Sequence, residues 1–416
     1  MHRRVCIVSP GNLASNPRVL KEADALHGAG YAVTVIVCDY NEALRQADDE
    51  IEAVAPWKVI RVPRARNEGI VSRMAAALAQ ALSAVRIAVP VGVAARSART
   101  PVAALMRRAP EVPADLYIAH YVAALPAVAV AAHRHGALLG FDAEDFHSGE
   151  GTGARDDAFR MKMIEIVEQA VLPSCSHMTA AAPLIGKAYA ARYGLAEPVT
   201  VLNVFPLSMA PLQPRPVRAR EGTAEVRAYW FSQTIGLDRG LQAFIQAMAR
   251  TQSRVTLDIR GSNRWGHGDT LLALAHSLGL ADRVRVLPMA PPGEMVRLAA
   301  DYDVGLSLET EVSENRRICL TNKIFTYLLA GVPVVMSDTP AQKLLATELG
   351  AAARLCDLAD PAELAATLDA LASPAVLAEA SAVAWRLGRE RYNWEREQDV
   401  LLQSVAAAFT RREALR

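Results

Sequence analysis

ETEVSENRRICLTNKIFTYLLAGVPVVMSD, running from Glu309 to Asp338, is the stretch whose reading decides the fold. It leaves the apolar run VGLSL (Val304 to Leu308) through a polar segment that reads as loop. Thr321 and Asn322 then stand where helix starters stand, ahead of an apolar-periodic run. The spacing of Ile324, Tyr327, Leu328 and Gly331 predicts a helix over 323–330 with one face on a core. Gly331 ends it, being the residue that takes a left-handed cap at least steric cost. After Pro333 the apolar residues run on rather than alternate, the mark of a strand buried on both faces. Strand, loop, helix, glycine and strand make a parallel α/β unit. The helix start offers unpaired N–H groups and a positive dipole end, where a phosphate can sit beside the Lys323 charge.

Outward from this stretch, the 416 residues are too many for one typical domain. Apolar residues make up 52% and charged residues 21%, enough to fill large cores. A net charge of +1 argues against a nucleic-acid binder, so any basic surface is local. Cys6, Cys38, Cys175, Cys319 and Cys356 are scattered and odd in number, which fits reduced thiols in a cytoplasm and lacks metal-ligand spacing. MHRRVCIVSPGN has too short an apolar part for a secretion signal and reads as a first strand.

RVCIVSPGN followed by ASNPRVLKEADALHGAGYAVTVIVCD is strand, loop, helix and strand, with Asn16 as cap and Pro17 at the first helical position. A ligand is expected at the loop Pro10 to Ser15, where Gly11 and Asn12 lie outside the carboxyl end of a strand. No GxGxxG is present, so no dinucleotide cofactor is indicated. From Arg61 to Pro110 nine arginines (Arg61, Arg64, Arg66, Arg73, Arg86, Arg96, Arg99, Arg107, Arg108) face one acid, Glu68, among apolar residues. That pattern suits helices lying on an anionic bilayer, although arginine stems also border ordinary packed helices.

His120 ends one predicted strand, and Asp142, Glu144, Asp145 and His147 crowd the end of the next. Carboxylates and histidines at strand ends are where α/β proteins place chemistry, while a solvated acidic loop is the plain alternative. GEGTGARDD after them reads as a flexible lid. Asp301-Tyr302-Asp303 has the letters of a metal-binding Asp-x-Asp, but its place at a helix-to-strand junction reads as a cap, and no metal site is expected. The chain therefore divides into an N-terminal α/β domain over 1–205, a Pro- and Arg-rich linker over 206–224, a second α/β domain over 225–388 and a terminal helix over 389–416.

SNPRVLKEADALHGAGYAV, GFDAEDFHSGE, WFSQTIGLDRGL, LTNKIFTYLLAGVPVVMSD and RYNWEREQDVLL, in this order, resemble GT-B fold glycosyltransferases, close to glycosyltransferase family four. The resemblance spans nearly the whole chain. It implies two Rossmann-like doubly wound domains facing a central cleft, with the last helix crossing back to the N-terminal domain. It implies a nucleoside-diphosphate sugar as co-substrate and no bound cofactor. The donor site would take Gln233, Thr234, Gly261 and Asn322, with Arg239 and Lys323 on the diphosphate and Thr326 near the ribose, and Gly11 and Asn12 from the first domain. Where many relatives carry two glutamates, Ile318 and Thr326 stand here, and Thr234 replaces a usual arginine. That shifts weight onto Arg239, Lys323 and Arg316 or Arg317, with Glu314 as a substitute acid.

The implied reaction is sugar transfer to a saccharide or lipid-linked saccharide acceptor in surface polysaccharide or glycoconjugate synthesis, with retention and without metal. His120, Asp145 and His147 are the candidates for a base, and the implied place is the cytoplasm, at the inner face of the membrane. A GT-B fold sugar-nucleotide epimerase and a non-catalytic saccharide-binding homologue are the alternatives.

Overall fold

A computed structural model describes residues 2–63, 67–98, 102–214 and 225–414. Arg64, Arg66 and Arg99 and the linker from 215 to 224 lie outside the described residues. The chain forms two compact units. The first takes Met1–Val201, Ser313–Asn315 and Gln398–Arg416; the second takes Leu202–Val312 and Arg316–Glu397.

The first unit is built on a seven-stranded sheet, with β1 (Arg4–Ser9), β2 (Ala32–Asp39), β3 (Lys58–Pro63), β4 (Leu116–His120), β5 (Leu138–Ala143), β6 (His177–Ala180) and β7 (Val199–Thr200). Their order is β3-β2-β1-β4-β5-β6-β7, and every neighbouring pair is parallel. All residues of β4 and β5 are buried, as strands covered on both faces must be. The helix Pro17–Gly28 starts as its sequence reads, with Pro17 first and the Asn16 side chain accepting from the N–H groups of Arg18 and Val19. The terminal helix Trp394–Ala414 sends its later turns to this unit, where Phe409 stacks on Tyr31 and Ser404 meets His177.

The second unit has six parallel strands: β8 (Glu225–Thr234), β9 (Arg254–Ser262), β10 (Val284–Leu287), β11 (Val304–Ser307), β12 (Val334–Ser337) and β13 (Ala353–Cys356). Their order is β10-β9-β8-β11-β12-β13. Trp230, Phe244, Leu257 and Leu306 belong to its core. Order reverses between β1 and β4 in one sheet and between β8 and β11 in the other, and such switch points open a crevice at the carboxyl ends of the strands.

The helix Asn322–Ala330 forms as the sequence predicts, and Gly331 ends it at φ 75° in the left-handed region. Thr321 holds the cap position without a side-chain cap bond. The segment before it is not all loop, because Glu314–Ile318 makes a short helix. Five residues with a lone turn of hydrogen bonds carry little periodicity, so this element was invisible in the apolar pattern.

What seats the longer helix on the sheet is Gly305 in β11. A methyl group there would stand 2.2 Å from the Tyr327 ring, whose hydroxyl donates to the Tyr229 carbonyl at 3.0 Å. Gly305→Ala therefore forces the ring off the strand and should lower the unfolding free energy by about 1–3 kcal/mol, read as a reduced denaturant midpoint.

Candidate functional site

In the second unit the switch point brings together the loops after β8 and β11. Arg239 comes from the first loop, Glu309 from the second, and Lys323 from the first turn of the helix Asn322–Ala330. Glu309 is 2% exposed and takes three cations. Its Oε1 accepts from Lys323 Nζ at 3.1 Å, and its Oε2 from Arg316 at 2.7 Å and Arg239 at 3.1 Å. Burial opposes the charge on Glu309, but Lys323, Arg316 and Arg239 outweigh burial and hold the carboxyl down at about 2. Lys323 is buried as well, with its ammonium over the Trp230 ring at 5.7 Å.

The backbone around this carboxylate is fixed from three strand ends. Ser337, closing β12, donates its hydroxyl to the Glu309 carbonyl at 2.6 Å and receives Gln342 Nε2 at 2.9 Å. Thr310 donates to the Asp238 carbonyl at 2.8 Å, tying the β11 loop to the β8 loop. Asp238 Oδ1 also lies 3.6 Å from Arg239 Nε, so three positive groups against two carboxylates leave one positive charge in excess. Such a cluster beside a helix start can take an anion, and it is drawn from positions that lie 70 and 14 residues from Glu309 in the case of Arg239 and Lys323.

In the first unit a second ion network fills the carboxyl ends of β4 and β5. Arg18 is buried and forks onto Asp142, with Nε on Oδ2 at 2.6 Å and Nη2 on Oδ1 at 2.7 Å, while Thr179 also donates to Oδ1. His120, fully buried, gives Nε2 to Glu22 at 2.5 Å and Nδ1 to Glu144 at 3.0 Å. Burial disfavours the imidazolium, but Glu22, Glu144 and Asp142 prevail and push His120 up to about 10. Next in the chain, Tyr121 holds φ 62° and ψ 153°, a conformation costly for a residue with a side chain. Its hydroxyl faces Glu144 Oε2 at 3.5 Å.

His147 is buried too; its Nδ1 meets Glu150 at 2.6 Å, and Nε2 has no hydrogen-bond partner among the described residues. Asp145 accepts from Asn315 Nδ2 at 2.8 Å, and burial chiefly raises its carboxyl. His120, Asp142 and Glu144 could hold a metal ion by proximity alone. The chemistry of the set opposes it, because Arg18 already occupies Asp142 and both His120 nitrogens are spent on carboxylates.

The predicted residues thus separate into two groups. Arg239 and Lys323 converge with Arg316; Arg317 does not, being paired at the surface with Glu311. Asn322 is exposed at the helix start, Gln233 is exposed, and Thr234 ends β8. Gly261 packs so tightly that a methyl group would lie 2.7 Å from the Ser232 carbonyl. Thr326 is fully buried and donates to the Asn322 carbonyl at 3.0 Å, so its hydroxyl is committed to its own helix. Asn12 is likewise spent, taking the Asn41 N–H and giving Nδ2 to Asp48, and Gly11 sits beside Ser15. His120 faces a carboxylate at each ring nitrogen, Glu22 at Nε2 and Glu144 at Nδ1, and a ring donating from both has no free lone pair.

Asp301 and Asp303 precede β11, at the end of the strand away from the cations, and Asp303 accepts from the Arg227 N–H. Glu309, Arg18, Glu22 and Tyr121 went unnoticed in the sequence reading. The available signal was an acid directly after a buried strand, and charged residues on the inward face of the first helix. A cavity of about 520 Å³ lies elsewhere, among Arg4, Ala32 and Lys58 at the amino ends of β1, β2 and β3.

No protein-family model matches the chain, and no curated protein does. Solved structures do share its fold. HepE of Anabaena, solved with UDP and glucose, is 15% identical with a TM-score of 0.70, covering 98% of this chain and 100% of that one. Sucrose-phosphate synthase of Thermosynechococcus elongatus is 14% identical at 0.69, covering 98% and 100%. The lipopolysaccharide outer core galactosyltransferase WaaB is 12% identical at 0.62, covering 97% and 99%. At these identities the likeness establishes the two-domain α/β fold called GT-B.

The His120 network carries a pH signature. A group whose pKa rises on folding, here from 6.5 to about 10, contributes stability that is complete below 6.5 and lost as pH climbs through the folded value. The melting temperature of the native protein should therefore fall more steeply between pH 6.5 and 10 than that of His120→Gln, and parallel curves would refute the charged state.

Proposed function

We propose that the chain is a glycosyltransferase that moves a sugar from a nucleoside-diphosphate sugar to a saccharide or lipid-linked saccharide in surface polysaccharide or glycoconjugate synthesis. The observation that carries it is the convergence of Arg239, Arg316 and Lys323 at the switch point of the second sheet. Breaking the bond between sugar and diphosphate leaves extra negative charge on the departing phosphates. Placed cations and a helix start stabilise that charge most where it is fully developed, in the transition state. A cluster of this kind does the work a divalent metal does elsewhere, so the transfer is metal-independent. It proceeds with retention, the acceptor attacking on the face the diphosphate leaves.

HepE, solved with UDP and with UDP-glucose, supports a uridine nucleotide and a hexose as the first ligands to try. WaaB, a lipopolysaccharide galactosyltransferase, supports a saccharide acceptor. Among the base candidates, Asp145 takes precedence over His120 and His147, because both rings are enclosed and Asp145 is partly open.

The helix Glu68–Ala84 supports a cytoplasmic enzyme working at an anionic membrane face. Ile70, Met74 and Leu78 are exposed at four-residue steps along one side, and Val85 and Ile87 continue the apolar surface. Arg73 and Arg86 flank them, while Glu68 is buried and accepts the Val102 N–H. No helix among the described residues is long and apolar enough to cross a membrane.

Two measurements test this reading. UDP should be released from UDP-glucose only when acceptor is supplied, and Arg239→Ala should lower kcat/KM by about 10²–10³. A sugar nucleotide recovered with an inverted ring centre would mean an epimerase, and tight binding without turnover a saccharide-binding homologue. Vesicles containing phosphatidylglycerol should sediment the protein, and Ile70→Ser, Met74→Ser and Leu78→Ser together should release it while leaving UDP binding intact; equal binding by the triple variant rejects the membrane face.

A further inference from the structure

The donor cations are not free to meet a ligand. Each already holds Glu309, a carboxylate enclosed at 2% exposure and fixed through its own carbonyl by Ser337. An enclosed anion serving three cations has two consequences. It cancels their mutual repulsion while the site is empty, and it occupies the donors that a phosphate oxygen needs. Arg239 and Arg316 share Oε2 and keep side-chain exposures of 19% and 26%, so they can turn toward a ligand. Lys323 sits on Oε1 with 8% exposure and stays where it is.

We propose that Glu309 is an internal counter-anion of the donor clamp, competing with the nucleoside diphosphate for Arg239 and Arg316 and so limiting the affinity for donor and for the released nucleotide. The inference rests on the donor-site reading above. Binding of the diphosphate transfers the two guanidinium groups from carboxylate to phosphate, and departure returns them. Glu309 thereby makes product release easier than three unpartnered cations would allow. Glu309 is a positioning residue, acting on the sugar nucleotide only through the three cations.

The experiment compares the native protein with Glu309→Gln and Glu309→Asp by calorimetry and thermal shift, using UDP, inorganic pyrophosphate and uridine. Glutamine keeps the shape and removes the charge. Aspartate keeps the charge but withdraws it by one methylene. Glu309→Gln should be less stable alone, bind UDP and pyrophosphate about tenfold tighter, and gain more melting temperature from them than the native protein does. Uridine should not distinguish the variants. In turnover, kcat should fall together with KM, the mark of slowed nucleotide release, and Glu309→Asp should lie between the two. A carboxylate that merely held the loop in place would lower stability and leave phosphate affinity equal or weaker, and that result overturns the inference. Should Glu309→Gln fail to fold, the same comparison is made with Glu309→Asp alone, where equal or weaker UDP binding is again fatal. If the native protein binds neither UDP nor pyrophosphate, the donor-site reading itself has failed; if it binds them and the variants bind no tighter, only the counter-anion has.

Discussion

A single carboxylate, Glu309, ties the carboxyl edge of the second sheet together. A buried charge costs several kcal/mol unless it is paired and its oxygens are satisfied. Here the pairing draws Arg239 from the β8 loop, Arg316 from the short helix and Lys323 from the next helix onto one group. Ser337 and Thr310 fix the neighbouring backbone, so three loops that share no sequence contact keep one geometry. Loops at strand ends are otherwise the most mobile parts of such folds. The placement of these cations thus depends on one enclosed anion.

The first unit solves a related problem with the opposite excess. Arg18 and His120 supply two positive charges to Glu22, Asp142 and Glu144, leaving the network one negative charge over. The fork of Arg18 on Asp142 locks the end of β5 to the first helix, and His120 links the end of β4 to both. Breaking one such buried pair costs about 3–5 kcal/mol, because the partner is left charged and enclosed. The strained Tyr121 follows immediately, at the switch point of this sheet, held where the ion network has already set the backbone. An acidic edge suits hydroxyl groups to be bound or deprotonated, as a cationic edge suits phosphate.

Much of the fold was legible in the sequence because its signals are local. Asn16 and Pro17 start a helix by bonds within one turn, Gly331 ends one by its own φ, and the unbroken apolar runs of β4, β5 and β12 mark parallel strands. Lys323 was legible as a cation at a helix start, and Arg239 only through the family resemblance. Glu309 was not, since an acid after a strand looks like the beginning of any loop until its partners are known. Nor was the burial of His120: a histidine at a strand end reads as a base, and only the carboxylates brought by Glu22 and Glu144 turn it into a fixed cation. Short-range patterns are set by the backbone, whereas protonation is set by whatever the tertiary fold packs alongside.

The same distinction accounts for Ile318 and Thr326, which stand where the resemblance leads one to expect acids. Thr326 is fully enclosed, and its hydroxyl is satisfied by the carbonyl one turn back, a bond that a neutral side chain can make without bringing charge into the core. A glutamate there would bring a charge into a fully enclosed position, which costs several kcal/mol unless it is paired. Enclosed on all sides and already bonded within its own helix, position 326 is most stable when it carries no charge.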